Sequence, residues 1–83
     1  MEIKPLRKDL RKYLKDHQLE KKWLKAVNLL KSNPSHPSLN LELLEPRWRG
    51  IYSFRLNRKY RALFFFISEG KIEVFQITKH YKK

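Results

Sequence analysis

Apolar residues recur at helical spacing in the first third of the chain and at alternate positions in the last third. Leu6, Leu10, Tyr13, Leu14 and His17 form one helical set, and Leu19, Trp23, Ala26, Val27 and Leu30 form a second. On one straight helix the apolar stripe would jump by roughly 140° at Asp16-His17-Gln18, taking 100° per residue. The pattern therefore predicts two helices joined by a hairpin or sharp elbow. Pro5 suits the start of the first, where its missing N–H costs nothing. Asp16 is a candidate N-cap for the second, and Ser32-Asn33-Pro34 closes it. Met1–Pro5 is a brief edge strand or a disordered lead-in.

Ser32–Ser38, with two prolines, reads as a loop, and Leu39–Glu45 as a short extended segment leading to Pro46. Three strands follow, at about Gly50–Asn57, Tyr60–Ser68 and Lys71–His80. Short turns at Asn57-Arg58-Lys59 and Ser68–Lys71 make both connections antiparallel hairpins. Helices first and sheet after give an α+β fold: a helical hairpin packed on a twisted antiparallel sheet of three main strands, plus a possible short N-terminal strand. One domain spans residues 1–83.

Period-two alternation assigns the sheet faces. Tyr52, Phe54, Phe64, Phe66, Phe75 and Ile77 are expected on the side the helices cover. Arg55, Arg61, Gln76, Thr78 and His80 are expected on the other. The first hairpin sets Arg55 across from Arg61. The second sets Ile67 opposite Ile72, Leu63 opposite Gln76 and Arg61 opposite Thr78, with His80 diagonal to Arg61.

Charge changes the picture most. The chain carries 20 Lys and Arg against 8 Asp and Glu, a net charge of +12. That balance calls for an anionic partner: nucleic acid, an acidic protein segment or an anionic membrane surface. Membrane is the weakest of the three, because no apolar run approaches a bilayer span. No signal-peptide pattern opens the chain, so a cytoplasmic location is expected. Zero cysteines remove disulfides, thiolate nucleophiles and Cys-based zinc sites together. His17, His36 and His80 are too scattered for a short-range metal motif, so neither metal nor cofactor is expected.

From Pro46 to Ser68 there is no carboxylate at all, yet Arg47, Arg49, Arg55, Arg58, Lys59 and Arg61 all fall there. Opposed arginines repel across a strand pair unless an anion bridges them. A phosphate satisfies both, since guanidinium forks match its oxygens. A histidine beside them adds a group that exchanges a proton near neutral pH. Together these residues read as a phosphodiester site.

The run Gly50-Ile51-Tyr52-Ser53-Phe54-Arg55-Leu56, then Tyr60-Arg61-Ala62-Leu63-Phe64, closing with His80-Tyr81, resembles the RelE/ParE toxin superfamily. Within it the chain is most similar to YoeB-like and RelE-like ribosome-dependent mRNA interferases, strongly so from Gly50 onward. The resemblance implies a toxin of a type II toxin–antitoxin system. Its activity would be endoribonucleolytic cleavage of mRNA on the ribosome without a metal. The ribose 2′-OH attacks the adjacent phosphate, leaving a 2′,3′-cyclic phosphate and a free 5′-OH.

By the same resemblance Arg61 binds the scissile phosphate, His80 is the general acid and Glu42 is the candidate base, with Glu45 equally available and a reaction that uses neither left open. Tyr81 stacks on or orients a base. Arg55, Arg58, Lys59, Arg49 and Lys79 are the further phosphate- and RNA-binding candidates. The implied partners are an acidic antitoxin, the ribosome and mRNA, with no membrane and no small-molecule substrate. Two alternatives share the fold: a ParE-like toxin that inhibits DNA gyrase and cleaves nothing, and an inactive relative that only binds nucleic acid or protein. Trp48, between Arg47 and Arg49, is a packing residue or a contact for a base or partner peptide.

Overall fold

The structure, a computed structural model, describes residues 1–79. Two helices, α1 (Lys8–Asp16) and α2 (Glu20–Ser32), lie on a five-stranded sheet of β1 (Glu2–Ile3), β2 (Glu42–Leu43), β3 (Tyr52–Arg55), β4 (Tyr60–Ser68) and β5 (Lys71–Lys79). The order across the sheet is β1-β5-β4-β3-β2. The fold is α+β, as the pattern of elements implies.

The sheet departs from expectation in being larger and mixed. Residues at the N-terminus do form an edge strand, but it runs parallel to β5, with Glu2 beside Lys71 and Ile3 beside Ile72. Glu42–Leu43 adds the opposite edge, antiparallel to β3. Strands of two residues show little period-two signal, which is why alternation alone leaves them undecided. Leu39 is not extended; it ends a 3-10 turn at Pro37–Leu39 and is buried.

The elbow between the helices is built differently from the expected N-cap. Asp16 is the last residue of α1 and is held by Lys12 at 2.7 Å, while Leu19 occupies the N-cap position of α2. The Leu19 N–H donates to the Leu14 carbonyl at 2.7 Å and the Gln18 N–H to that of Lys15 at 3.1 Å. Gln18 has a left-handed φ of 56°. This is a Schellman ending, completed by the buried pair Leu14 and Leu19. It stops α1 and turns the chain in one step. Pro5 lies upstream of α1, whose N-cap is Arg7.

The core fills the space between helices and sheet. Leu10 and Leu14 of α1, Ala26 and Leu30 of α2, and Leu39 pack over Phe54, Ala62, Phe64, Ile72, Val74 and Ile77. Trp23 lies 5.8 Å from Phe54, centroid to centroid. Burial of about 2 kcal/mol per large apolar side chain is the main term holding the helices down.

Register matters most for the site. Arg55 pairs with Arg61, Leu63 with Gln76 and Arg61 with Thr78, as the turn lengths imply. Two bulges break the β4–β5 ladder. Phe64 pairs with Val74, leaving Phe75 extra, and Phe66 rather than Ile67 pairs with Ile72. Phe75 is therefore not on the helix side with Ile77, as strict alternation predicts. The extra residue resets the parity and sends its ring to the other face, 5.6 Å from Phe65.

Candidate nucleic-acid interface

The face away from the helices carries the candidate chemistry in two rows. Glu42 pairs with Ser53, Ser53 with Leu63, and Leu63 with Gln76, so these four share one row across the sheet. Two residues along, Arg55, Arg61 and Thr78 form the next. Glu42 thus lies on the same face as Arg61, two strands away, a lateral separation of about 9.5 Å. It is exposed.

Arg61 does not wave in solvent. Only 7% of it is exposed, because the segment leading into β2 lies over it. One guanidinium nitrogen, Nη1, donates to the Asn40 carbonyl at 3.5 Å and to the Ser53 hydroxyl at 3.4 Å. Both contacts are long and both partners are neutral. Asn40 has a left-handed φ of 42°, which helps a loop carbonyl reach the sheet. Among the described residues no carboxylate forms an ion pair with Arg61 or with the half-buried Arg55 opposite it. A mostly buried cation without a counter-charge costs stability, and a second cation across the strand adds to that cost. An anion drawn between them relieves both.

The remaining candidates distribute unevenly. Arg58 and Lys59 are exposed at the β3–β4 turn, where the Asn57 side-chain oxygen accepts the N–H of Lys59 at 2.8 Å and of Tyr60 at 2.9 Å. They extend the Arg55–Arg61 row outward. Arg49 is exposed at the end of the 3-10 turn Arg47–Arg49, which Gly50 closes with a φ of 66°. Lys79 pairs with Tyr60, so alternation puts it on the helix side, apart from Arg61. There Tyr60 meets Tyr13 and His17 at centroid distances of 6.1 and 5.5 Å. His80 and Tyr81 lie outside the described residues. Glu45 forms an ion pair with Arg47 at 3.6 Å. Among the described residues, no group of three or more His, Cys, Asp or Glu is arranged to hold a metal ion.

Sequence reasoning did not single out Ser53 and Asn40 as supports for Arg61. Ser53 carried a signal, since the Ser-x-Arg spacing puts it on the face of Arg55. Nothing local marks Asn40, which arrives through a loop 21 residues away.

Further along the same face are Leu63, Phe65, Phe75, Gln76 and Ile51, with Arg49 at the rim. They line two adjoining clefts of about 550 and 180 Å³. The Phe75 carbonyl, freed by the bulge, accepts a hydrogen bond at 3.0 Å from the Arg7 guanidinium. Asp9 accepts from that guanidinium at 3.0 Å, and this hydrogen bond, reinforced by the Arg7 charge, holds the Asp9 carboxyl below its ordinary range.

A helical pair over one face of a five-stranded mixed sheet matches the fold of the RelE/ParE toxin superfamily, YoeB-like members included. Two solved structures show this likeness. A YoeB/ParE toxin from Agrobacterium tumefaciens matches 98% of this chain and 100% of its own, at 20% identity and a TM-score of 0.69. A YoeB from Staphylococcus aureus, described as a dimer, matches 96% of this chain and 94% of its own, at 28% identity and a TM-score of 0.57. No protein-family model matches the chain, and no curated protein matches it by sequence. Among the described residues no helix is long and apolar enough to cross a membrane.

Proposed function

We propose that the chain is the toxin of a type II toxin–antitoxin pair and acts as a ribosome-dependent endoribonuclease. The observation that carries this reading is Arg61: a guanidinium nearly removed from water, facing a second arginine, with no carboxylate paired to either among the described residues. Such an arrangement suits a phosphate that gains charge in the transition state.

In the proposed reaction Arg61 holds the non-bridging oxygens of the scissile phosphate, with Arg55 on its other side. A base takes the 2′-OH proton; Glu42 shares the face and is the leading candidate. The 2′-oxygen forms a bond to phosphorus as the bond from phosphorus to the 5′-oxygen breaks. His80 gives the leaving 5′-oxygen its proton, and Tyr81 orients an adjacent base. Arg49, Arg58 and Lys59 bind the flanking backbone. The nucleophile belongs to the substrate, so the step needs no metal. An acidic antitoxin covers the basic face between encounters, and the cytoplasm holds the ribosome, message and antitoxin together.

The test is a translating extract in which mRNA 5′ ends are mapped for wild type, Arg61→Ala and His80→Ala. Wild type is expected to cut ribosome-bound message, and each variant to lose at least a hundredfold in rate. Intact message with wild-type protein bound to ribosomes would sink the nuclease reading. A gyrase supercoiling assay run in parallel then tests the ParE-like alternative, in which the same basic face serves binding alone.

A further inference from the structure

The bulge at Phe75 is the feature the proposed reaction leaves unused. Strict alternation buries this ring in the core beside Ile77, where its apolar surface is best accommodated. The chain instead inserts one residue and turns the ring onto the face that bears Arg61. Arg7 of a different element secures the bulge by taking the freed carbonyl. Bulges that re-aim a side chain cluster beside functional sites.

What Phe75 meets there is an open aromatic shelf rather than a filled core. Phe65 and Phe75 sit at 41° to one another and are partly exposed, with Ile51 beside them. Gln76, exposed, offers both a donor and an acceptor at the edge. Arg49 closes the rim, and the two carboxylates nearby are both engaged, Glu45 by Arg47 at 3.6 Å and Glu73, opposite Phe65, by Lys4 at 3.3 Å. The shelf is continuous with the phosphate row, since Gln76 pairs with Leu63, two residues along β4 from Arg61. That places it about 7 to 14 Å from the arginine along the strand.

We propose that this shelf is a nucleobase subsite for single-stranded RNA, binding a base of a nucleotide that flanks the one held by Arg61. Phe75 stacks on the base, Phe65 packs against it at an angle, Gln76 reads its edge and Arg49 takes the adjoining phosphate. An aromatic surface edged by one amide and one guanidinium fits a base better than an acidic peptide, which would need more than one cation along its length. The inference rests on the reading of this face as an RNA site, but not on cleavage.

The test uses full-length protein and two fluorescent probes of equal length and charge: a 2′-O-methyl oligoribonucleotide, which cannot be cut, and its fully abasic counterpart. Wild type is expected to favour the base-bearing probe by about tenfold or more, since stacking on an aromatic is worth about 1–3 kcal/mol per base. Phe75→Leu, which keeps the apolar volume, is expected to lose most of that preference while binding the abasic probe as wild type does. In wild type, the ring protons of Phe65 and Phe75 and the Gln76 amide shift in NMR only with the base-bearing probe. Equal affinity for both probes, or a preference that Phe75→Leu retains, overturns the proposal. So does a variant that keeps the preference but dissociates a dimer or releases an acidic peptide, because the shelf is then a protein interface. Mapping of cut message reports the reaction and the probe pair reports the shelf, so either reading can fail while the other stands.

Discussion

Ser53 is completely buried, and its hydroxyl accepts from the guanidinium of Arg61 rather than from the backbone around it. A serine so placed holds one edge of the arginine still and leaves the rest of the fork for a ligand. Burial without a counter-charge makes Arg61 a source of instability that an anion relieves. Phosphate at matched ionic strength should therefore raise the melting temperature of wild type, since a ligand of the folded state stabilises it. In Arg61→Met the phosphate increment should shrink, while the melting temperature in chloride holds or rises. Equal phosphate increments in the two proteins would refute a phosphate site at Arg61. The opposition of Arg55 and Arg61 was legible in the sequence, because a short turn fixes which residues face one another. The burial of Arg61 was not. It depends on a loop carbonyl from Asn40, and no spacing rule couples two positions so far apart.

At the scale of elements, the helical elbow and the hairpins were legible from periodicity and turn chemistry. Three details were not: the parallel edge strand, the Schellman ending of α1 and the parity reset at Phe75. Each arises from backbone hydrogen bonding that side-chain pattern does not encode. The elbow also offers a stability test. Gln18 adopts a left-handed φ at the C′ position, where glycine is the usual residue. Gln18→Gly relieves about 1–2 kcal/mol of steric cost and gives back about 0.4–1 kcal/mol through a freer unfolded chain. The net expectation is a gain of about 0.5 kcal/mol, or roughly 2–4 °C in a domain of this size. Thermal melts of the two proteins decide it, and a lower melting temperature for the variant would show that the glutamine side chain holds the elbow.

For the whole molecule the governing quantity is a net charge of +12 gathered on a chain of 83 residues. Composition pointed to an anionic partner at once. The fold adds that Arg55 and Arg61 face one another on one side of the sheet, while ten of the 20 Lys and Arg fall between Lys4 and Lys31, on or beside the helices. If Arg49, Arg55, Arg58, Lys59 and Arg61 each neutralise a phosphate, log affinity for single-stranded RNA should fall against log salt with a slope of about −3.5. Arg58→Ala should make that slope shallower by about 0.7 without altering the preference for bases over abasic sugar. Titrations at several salt concentrations measure both, and a slope near zero would mean that this face does not track a phosphate backbone.

The strand order β1-β5-β4-β3-β2 sets a hierarchy of opening. Strand β4 has partners on both sides, whereas β2 is an edge of two residues. Amides of the central strand exchange with solvent only when the whole sheet comes apart, and those of the edge exchange through local fraying. Arg61 rides the first and Glu42 the second. The proposed phosphate-binding group is thus fixed to a central strand of the sheet, while the candidate base stands on an edge with more freedom to adjust its distance.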